Sequence, residues 1–401
     1  MKFGIIREGK NPPDKRVALS PSQCKELLDV YPELEIAVQP SPIRAFKDQE
    51  YSDLGLTMQE DLSDCDVIIG VKEVPLDMLI SNKTYLFFSH TYKLQPYNKT
   101  LLQTILKKKI RLVDYEMLKN KEGVRILGFG KYAGIVGAYN AFRAWGEMTG
   151  EFFLKAAHEC EDRVEMEGEL KKVQFSKPGK IVMTGSGRVG SGAEEMMNVL
   201  GFPKVSAQDF LNAKFDHSVY CQLEVSDYFK RGDSKPFTNE DFYKNSEGYE
   251  SDFMKFTEKA DIYIPCHFWS EKSPFIFTRE DAKSENFNIR LVSDISCDID
   301  GPVASTLSPS TIADPFYGYD PISEKMVAFG SPNSIGVSAV DNLPCELPKD
   351  ASQDFGNELI KNVIPHFFNG DQDQILEKAS ETDLSGNLTS YFSYLKEYVE
   401  G

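Results

Sequence analysis

Along residues 1–131, short apolar runs alternate with amphipathic stretches, and this alternation most constrains the fold. KFGIIR (2–7), EIAVQP (35–40), VIIGVK (67–72), YLFFSH (85–90) and IRLVDYE (110–116) read as strands. SPSQCKELLDVY (20–31), with a Ser20/Pro21 start signal, and KTLLQTILKKK (99–109) read as helices. Strands that alternate with helices predict an α/β fold with a doubly wound parallel sheet.

Two of these runs end on basic side chains. VIIGVKEVP (67–75) carries Lys72 and TYLFFSH (84–90) ends on His90. Both residues are expected at the carboxyl edge of the sheet, where open α/β folds bind ligands. A lysine and a histidine can move protons on a substrate nitrogen or carbonyl; read blandly, Lys72 is a solvated strand end and His90 a core histidine.

A long helical pattern, YAGIVGAYNAFRAWGEMTGEFFLKAAHE (132–159), leads to a second α/β region. There GKIVMTGSGRVGSGAEEMMNVLGFPKVSAQD (179–209) places an apolar strand directly before Gly185-Ser186-Gly187-Arg188-Val189-Gly190 and a helix after it. Asp209 is read as ending the next strand, nineteen residues beyond Gly190. Glycines let backbone approach a pyrophosphate, helix N–H groups receive its charge, and the acid takes ribose hydroxyls; the pattern predicts dinucleotide binding. The polar, aromatic stretch 211–260 reads as an insertion with surface helices. Strands resume at ADIYIPCHFW (260–269) and IRLVSDISCD (289–298), with Asp294 and Asp298 at their edge. The segment after about 346 is helical and amphipathic.

Composition narrows the class. The chain has 401 residues, 41% of them hydrophobic, enough for two domains. With 45 basic and 62 acidic residues the formal charge is −17, which argues against a nucleic-acid partner. No apolar stretch is long enough to span a membrane, and the N-terminal run is too short for a secretory signal, so a cytoplasmic enzyme is expected. Seven cysteines without a C-x-x-C suit reduced thiols and give no metal site.

Taken in order, IREGKNPPDKRVALSP (6–21), GVKEVP (70–75), FFSHTYK (87–93), RLVDYEMLKNKEGVRILGFGKYAGIVGA (111–138), GSGRVGSGA (185–193), DISCDIDG (294–301) and AVDNLPCELPKDAS (339–352) resemble the alanine dehydrogenase/transhydrogenase superfamily. Within it they look most like the lysine–2-oxoglutarate reductase half of the bifunctional lysine-degrading protein and the lysine-forming saccharopine dehydrogenase of fungi. CHFWSEKSPFIFTREDA (266–282) favours the reductase half. The saccharopine-oxidising half is expected to be absent.

The resemblance implies two Rossmann-like domains with an interdomain cleft: residues 1–131 plus 346–401 for substrate, and 132–345 for the dinucleotide. It implies reversible oxidative deamination of saccharopine to lysine and 2-oxoglutarate, small-molecule substrates only, and leaves a homo-oligomer open. By similarity Lys72 is the base for the secondary amine and His90 the acid–base group for the carbinolamine, with Glu73 and Glu116 tuning the pair. Arg16, Arg125 and Lys10 match substrate cations, Phe129 a lining aromatic, and Ser296, Cys297 and Asp298 the segment meeting substrate from the nucleotide domain. Gly185, Gly187, Arg188, Val189 and Gly190 match the pyrophosphate turn, and Asp209 the ribose acid. Phe268 and Ile295 match pocket walls, and Val340, Asp341, Asn342 and Leu343 the loop closing over nicotinamide. Because valine stands at 189 where the fungal turn has cysteine, a disulfide from that turn to Cys266 is impossible. NAD is expected over NADP, since Asp209 would repel a 2′-phosphate, although Arg188 could accommodate one. The competing readings are another amino-acid dehydrogenase, alanine dehydrogenase first, and a non-catalytic ligand-binding homologue.

Overall fold

The computed structural model describes residues 1–233 and 235–401. Met1–Phe129 and Pro348–Gly401 make one unit, Gly130–Leu347 the other. In the first, six strands pair wholly in parallel: β1 (Lys2–Ile5), β2 (Glu35–Val38), β3 (Thr57–Met58), β4 (Val67–Ile69), β5 (Thr84–Phe87) and β6 (Arg111–Asp114). Their spatial order is β3-β2-β1-β4-β5-β6, so strand order reverses between β1 and β4. Such a reversal leaves a crevice at the carboxyl ends of the two strands.

Apolar side chains are buried on both faces, which explains the unbroken apolar runs in sequence. One face packs Ile5, Ile69 and Leu86 with Cys24 and Leu27 of the helix Pro21–Val30 and with Phe355 and Leu359 of the helix Pro348–Asn362. The other packs Ile68, Tyr85 and Phe87 against Leu101 and Ile105. Helix Pro21–Val30 starts where the sequence predicts: Ser20 Oγ accepts from Gln23 N and the Gln23 side chain accepts from Ser20 N, a capping box worth about 1 kcal/mol.

The second sheet is mixed. β7 (Lys180–Thr184), β8 (Val219–Leu223), β11 (Ile262–Pro265), β12 (Leu291–Ser293) and β15 (Ile335–Ser338) run parallel. β13 (Phe316–Asp320) pairs antiparallel with β15, and β14 (Lys325–Val327) with β13. The order is β14-β13-β15-β12-β11-β7-β8, and β9 (Phe229–Arg231) and β10 (Tyr249–Ser251) form a separate antiparallel pair.

Three expectations are corrected. The purely parallel second sheet gains an antiparallel edge. The 211–260 stretch is not a surface insertion: it contains β8, and Val219, Cys221, Leu223, Phe229, Phe242 and Tyr249 lie in the core of the second unit. The helix expected over 132–159 is Gly130–Thr149, stopped by Gly150 at φ 73°, a left-handed terminus glycine adopts readily. Cys24, Cys65, Cys160, Cys221, Cys266 and Cys297 are free thiols, and among the described residues no helix is long and apolar enough to cross a membrane.

Helix Gly130–Thr149 lies directly on helix Arg188–Val199. A Cβ at Gly134 would stand 1.9 Å from Val189 O, and one at Gly192 would stand 2.0 Å from Lys131 O. Gly134→Ala gains a few tenths to about 1 kcal/mol of helix propensity but must separate two backbones, an overpacking cost of about 1–3 kcal/mol or more. The variant is therefore expected to unfold at lower urea concentration than wild type; an equal or higher midpoint would contradict this packing.

Candidate active site

In the first unit, acidic and basic side chains meet at the carboxyl edge of β1, β4, β5 and β6. His90 follows β5 with φ 58°. Its Nδ1 lies 2.7 Å from Glu73 Oε1, and its Nε2 lies 3.8 Å from Glu116 Oε2. Lys10 pairs with the other oxygen of Glu73. Glu116 holds Arg125 Nη1 at 2.9 Å and Lys93 Nζ at 3.0 Å, and accepts from Tyr92 OH at 3.0 Å. Burial alone would raise both glutamates; hydrogen bonds from His90 and Lys10 hold Glu73 below the usual carboxylate range, and Lys93 and Arg125 do the same for Glu116.

Lys72 is half-buried just past β4. Its backbone N–H donates to Glu8 Oε2 at 2.9 Å, and the Val71 N–H to Glu8 Oε1 at 2.7 Å. Desolvation pushes the Glu8 carboxyl up to about 7 against these two bonds. Glu8 thus fixes the backbone that carries Lys72. Lys72 also contributes to the field on Asp14, whose carboxyl, despite burial, is held low chiefly by Arg16.

Arg16 departs from expectation. It is buried at 2% exposure, with Nε 3.0 Å and Nη2 2.6 Å from the carboxylate of Asp14, and its guanidinium lies 4.1 Å over the Phe129 ring. Its fork faces a carboxylate of its own turn, as a bidentate pair does. Phe129 itself stacks on Phe355, with centroids 4.7 Å apart.

In the second unit, a cavity of 470 Å³ opens at the carboxyl ends of β7, β8 and β11. Gly185, Gly187, Arg188 and Val189 line it, with Glu224, Phe268, Ser296 and Asp298. The loop is built for close approach: Gly185 has φ 91°, a Cβ at Gly190 would lie 2.1 Å from Gly185 O, and the Cβ position of Gly187 is open space. Helix Arg188–Val199 begins at this loop with Gly187 as its N-cap. These features fit a dinucleotide pyrophosphate, with Gly187 and Arg188 placed to hold it. Burial, then the charge of Asp294, pushes Asp298 up to about 6.

Asp209 is not at a strand end. It lies in the helix Ala207–Asn212, where Ser206 caps its backbone N–H. The strand beside β7 is β8, and the acid that follows it is Glu224, whose Oε2 lies 3.2 Å from Ser186 Oγ of the glycine loop. Cys297 turns its thiol toward Ala339 O, 3.1 Å away, rather than into the cavity. Ile295 and Leu343 pack at Gly137 of the helix Gly130–Thr149, and Val340 is buried. Together with Asp341 and Asn342 they are not among the residues that line this cavity, although Ser296 and Asp298, which follow the same strand as Ile295, are.

Sequence reasoning missed Glu8, Asp14, Tyr92, Lys93 and Glu224. Glu8 stands just past an apolar strand, and Tyr92 and Lys93 lie two and three residues after His90, so a signal was present for these three, whereas the strand before Glu224 has no unbroken apolar run.

The first cluster can donate and accept protons at an imidazole held at Nδ1 by Glu73, with Glu116 3.8 Å from its other nitrogen. Because the carboxyl of Glu116 is depressed on folding, its stabilisation is present above the ordinary carboxylate range and is lost as pH falls through the depressed value. Glu116→Gln is therefore expected to cost about 1–3 kcal/mol at pH 7 and progressively less toward acid, as read from urea midpoints at several pH values. A cost independent of pH would contradict the pairing.

Residues 4–136 match the family model described as alanine dehydrogenase/PNT, N-terminal domain. Alpha-aminoadipic semialdehyde synthase of Arabidopsis thaliana is 29% identical over 98% of this chain and 41% of its own length; the mitochondrial enzyme of that name from Mus musculus is 28% identical over 99% and 48%. The chain thus spans less than half the length of these curated relatives. Saccharopine dehydrogenase (NAD(+), L-lysine-forming) of Yarrowia lipolytica is 26% identical over 90% of both chains. Among solved structures, an L-alanine dehydrogenase shares the fold at TM-score 0.67 and 18% identity over 100% of this chain and 99% of its own. The transhydrogenase from Sinorhizobium meliloti shares it at 0.57 and 15%, over 97% and 99%. Residues 4–136 thus match the alanine dehydrogenase/PNT N-terminal domain, and the whole chain shares the fold of alanine dehydrogenase and transhydrogenase.

Proposed function

We propose that the chain is a nicotinamide-dependent oxidoreductase that interconverts saccharopine with L-lysine and 2-oxoglutarate. The observation that carries this reading is His90, hydrogen-bonded to Glu73 and close to Glu116, on the sheet edge that also bears Lys72. Relatives named saccharopine dehydrogenase (NAD(+), L-lysine-forming), aligned over 90% of the chain, support it.

A dinucleotide bound at the Gly185–Gly190 loop supplies the hydride acceptor. Lys72 takes the proton of the secondary amine as the C–N bond becomes an imine. Water adds to the imine carbon, and His90 accepts a proton from that water and returns one to the departing lysine nitrogen. Glu73 holds the imidazole at Nδ1, which leaves Nε2, 3.8 Å from Glu116, to exchange the proton. Lys10, Lys93 and Arg125 add positive charge around the cluster, which favours the carboxylates of saccharopine and 2-oxoglutarate. Arg16, paired with Asp14, contributes through that pair rather than as an open clamp.

For the nucleotide we infer NAD over NADP. Glu224, not Asp209, provides the carboxylate at the end of the strand next to β7, where it can take ribose hydroxyls and repel a 2′-phosphate.

Oxidation of reduced nicotinamide is expected with lysine plus 2-oxoglutarate and not with pyruvate plus ammonia. The opposite pattern would make the chain an alanine dehydrogenase, and no oxidation with either pair would remove the catalytic reading. Lys72→Met is expected to slow saccharopine oxidation roughly a hundredfold or more with unchanged NADH affinity in a fluorescence titration; equal loss of both counts against its role as base. Glu224→Ser is expected to narrow the ratio of NADP to NAD dissociation constants at least about tenfold, and an unchanged ratio would remove Glu224 from the ribose site.

A further inference from the structure

We propose that Glu381 and Asp114 share one buried proton through Ser89 and Thr91, and that this clamp is the device that positions His90. The inference rests on the acid–base role given to His90 above.

Ser89 and Thr91 flank His90, and both are fully buried together with Asp114 and Glu381. Thr91 Oγ1 is 2.6 Å from Glu381 Oε2 and 2.6 Å from Ser89 Oγ, and Ser89 Oγ is 2.5 Å from Asp114 Oδ2. Hydrogens can be counted along this row. If both carboxyls were ionised, Ser89 would give its hydrogen to Asp114 and Thr91 its own to Glu381. The 2.6 Å contact between the hydroxyls would then hold no hydrogen. With a proton on Glu381 Oε2, donation runs Glu381 to Thr91 to Ser89 to Asp114, and each of the three short contacts holds one hydrogen, while Ser89 Oγ also accepts the Thr91 N–H at 3.2 Å and lies 3.2 Å from Glu381 Oε1.

Electrostatics point the same way. Two carboxyls sharing an enclosed site cannot both ionise cheaply. Burial, then the charge of Asp114, pushes Glu381 up, and burial likewise raises Asp114. The other titratable groups facing this pair are Glu116 and the phenols of Tyr92, Tyr115, Tyr394 and Tyr398; among the described residues no cation pairs with either carboxyl.

The row reaches the catalytic cluster through backbone. Asp114 Oδ2 accepts the Ser89 N–H at 2.9 Å and Asp114 Oδ1 the Glu116 N–H at 2.6 Å. His90 sits between the two clamped residues in a left-handed conformation that a side chain adopts only when its surroundings impose it. Glu381 is thus a positioning residue, and its proton joins the C-terminal segment to the orientation of the imidazole.

The test compares wild type, Glu381→Gln and Glu381→Ala in the full chain. Glutamine can donate to Thr91 at every pH, whereas glutamate stops donating once it ionises. The ratio of kcat for Glu381→Gln to that of wild type is expected to rise with pH, and Glu381→Ala to lower kcat roughly tenfold or more with little change in KM. A flat ratio, or an alanine variant that loses only stability, would overturn the proposal. Two readouts do not need turnover, and they separate this idea from the assigned reaction. Because the Glu381 carboxyl is raised on folding, wild-type stability is fully present below the ordinary carboxylate range and is lost as pH rises through the raised value. The urea midpoint of Glu381→Gln should therefore gain on wild type as pH rises. The NMR signals of the His90 ring, assigned with His90→Gln, should keep one sharp set in Glu381→Gln and broaden or split in Glu381→Ala. Parallel midpoints, or an undisturbed ring in the alanine variant, would refute the clamp even in a protein that turned over neither substrate pair.

Discussion

Parallel pairing of β1, β4, β5 and β6 delivers Glu8, Lys72, Glu73, His90 and Glu116 to one edge of one sheet. The strands run the same way, so the residues just past their ends share a level although they are up to 108 positions apart in the chain. That common level brings partly exposed cations against the half-buried carboxylates of Glu73 and Glu116. Each cation then needs a carboxylate within reach, and each carboxylate a donor, because an uncompensated charge in such a place costs several kcal/mol. The pairs His90–Glu73, Lys93–Glu116 and Arg125–Glu116 meet that requirement. Their benefit lies more in fixed geometry than in net stability, since desolvation offsets much of the attraction between buried ions.

The second unit solves a different problem at the same kind of edge. It presents backbone instead of charge: an open position at Gly187, a tight turn at Gly185, and the start of a twelve-residue helix. A loop of this kind recognises an anion by N–H direction, so few charged side chains are required near it. Asp298 and Glu224 also line this cavity.

Much of the fold could be read from the residues because parallel strands buried on both faces leave continuous apolar runs. β1, β2, β4, β5 and β6 all carry that mark, as do β7, β11 and β12. β8 does not: VYCQL includes Gln222 and lies between His217-Ser218 and Glu224, so it resembles the polar surface around it. Its concealment led to Asp209 being read as a strand-end acid, since Ser206 and Asp209 three residues apart mark a helix start rather than a strand end. Lys72, His90, Glu73 and Glu116 were found because strand ends and a family pattern coincide there. The partner of Arg16 was overlooked although Asp14 is two residues away, because a turn places that pair by backbone geometry that composition does not reveal. Glu381 left no trace at all: it reaches Thr91 from 290 positions downstream, and only the docking of the C-terminal segment on β6 brings it there.

Helices Gly130–Thr149 and Arg188–Val199 touch main chain to main chain at Gly134 and Gly192. No rotamer intervenes, so the phosphate-facing turn inherits its coordinates from a rigid rod with nothing compliant in the linkage. A substitution on the remote face of either rod that tilts its axis would be transmitted to that turn undamped, whereas the same tilt across a leucine seam would be absorbed. Natural drift in this part of the chain should accordingly be slow along both rods, including at positions that touch no ligand.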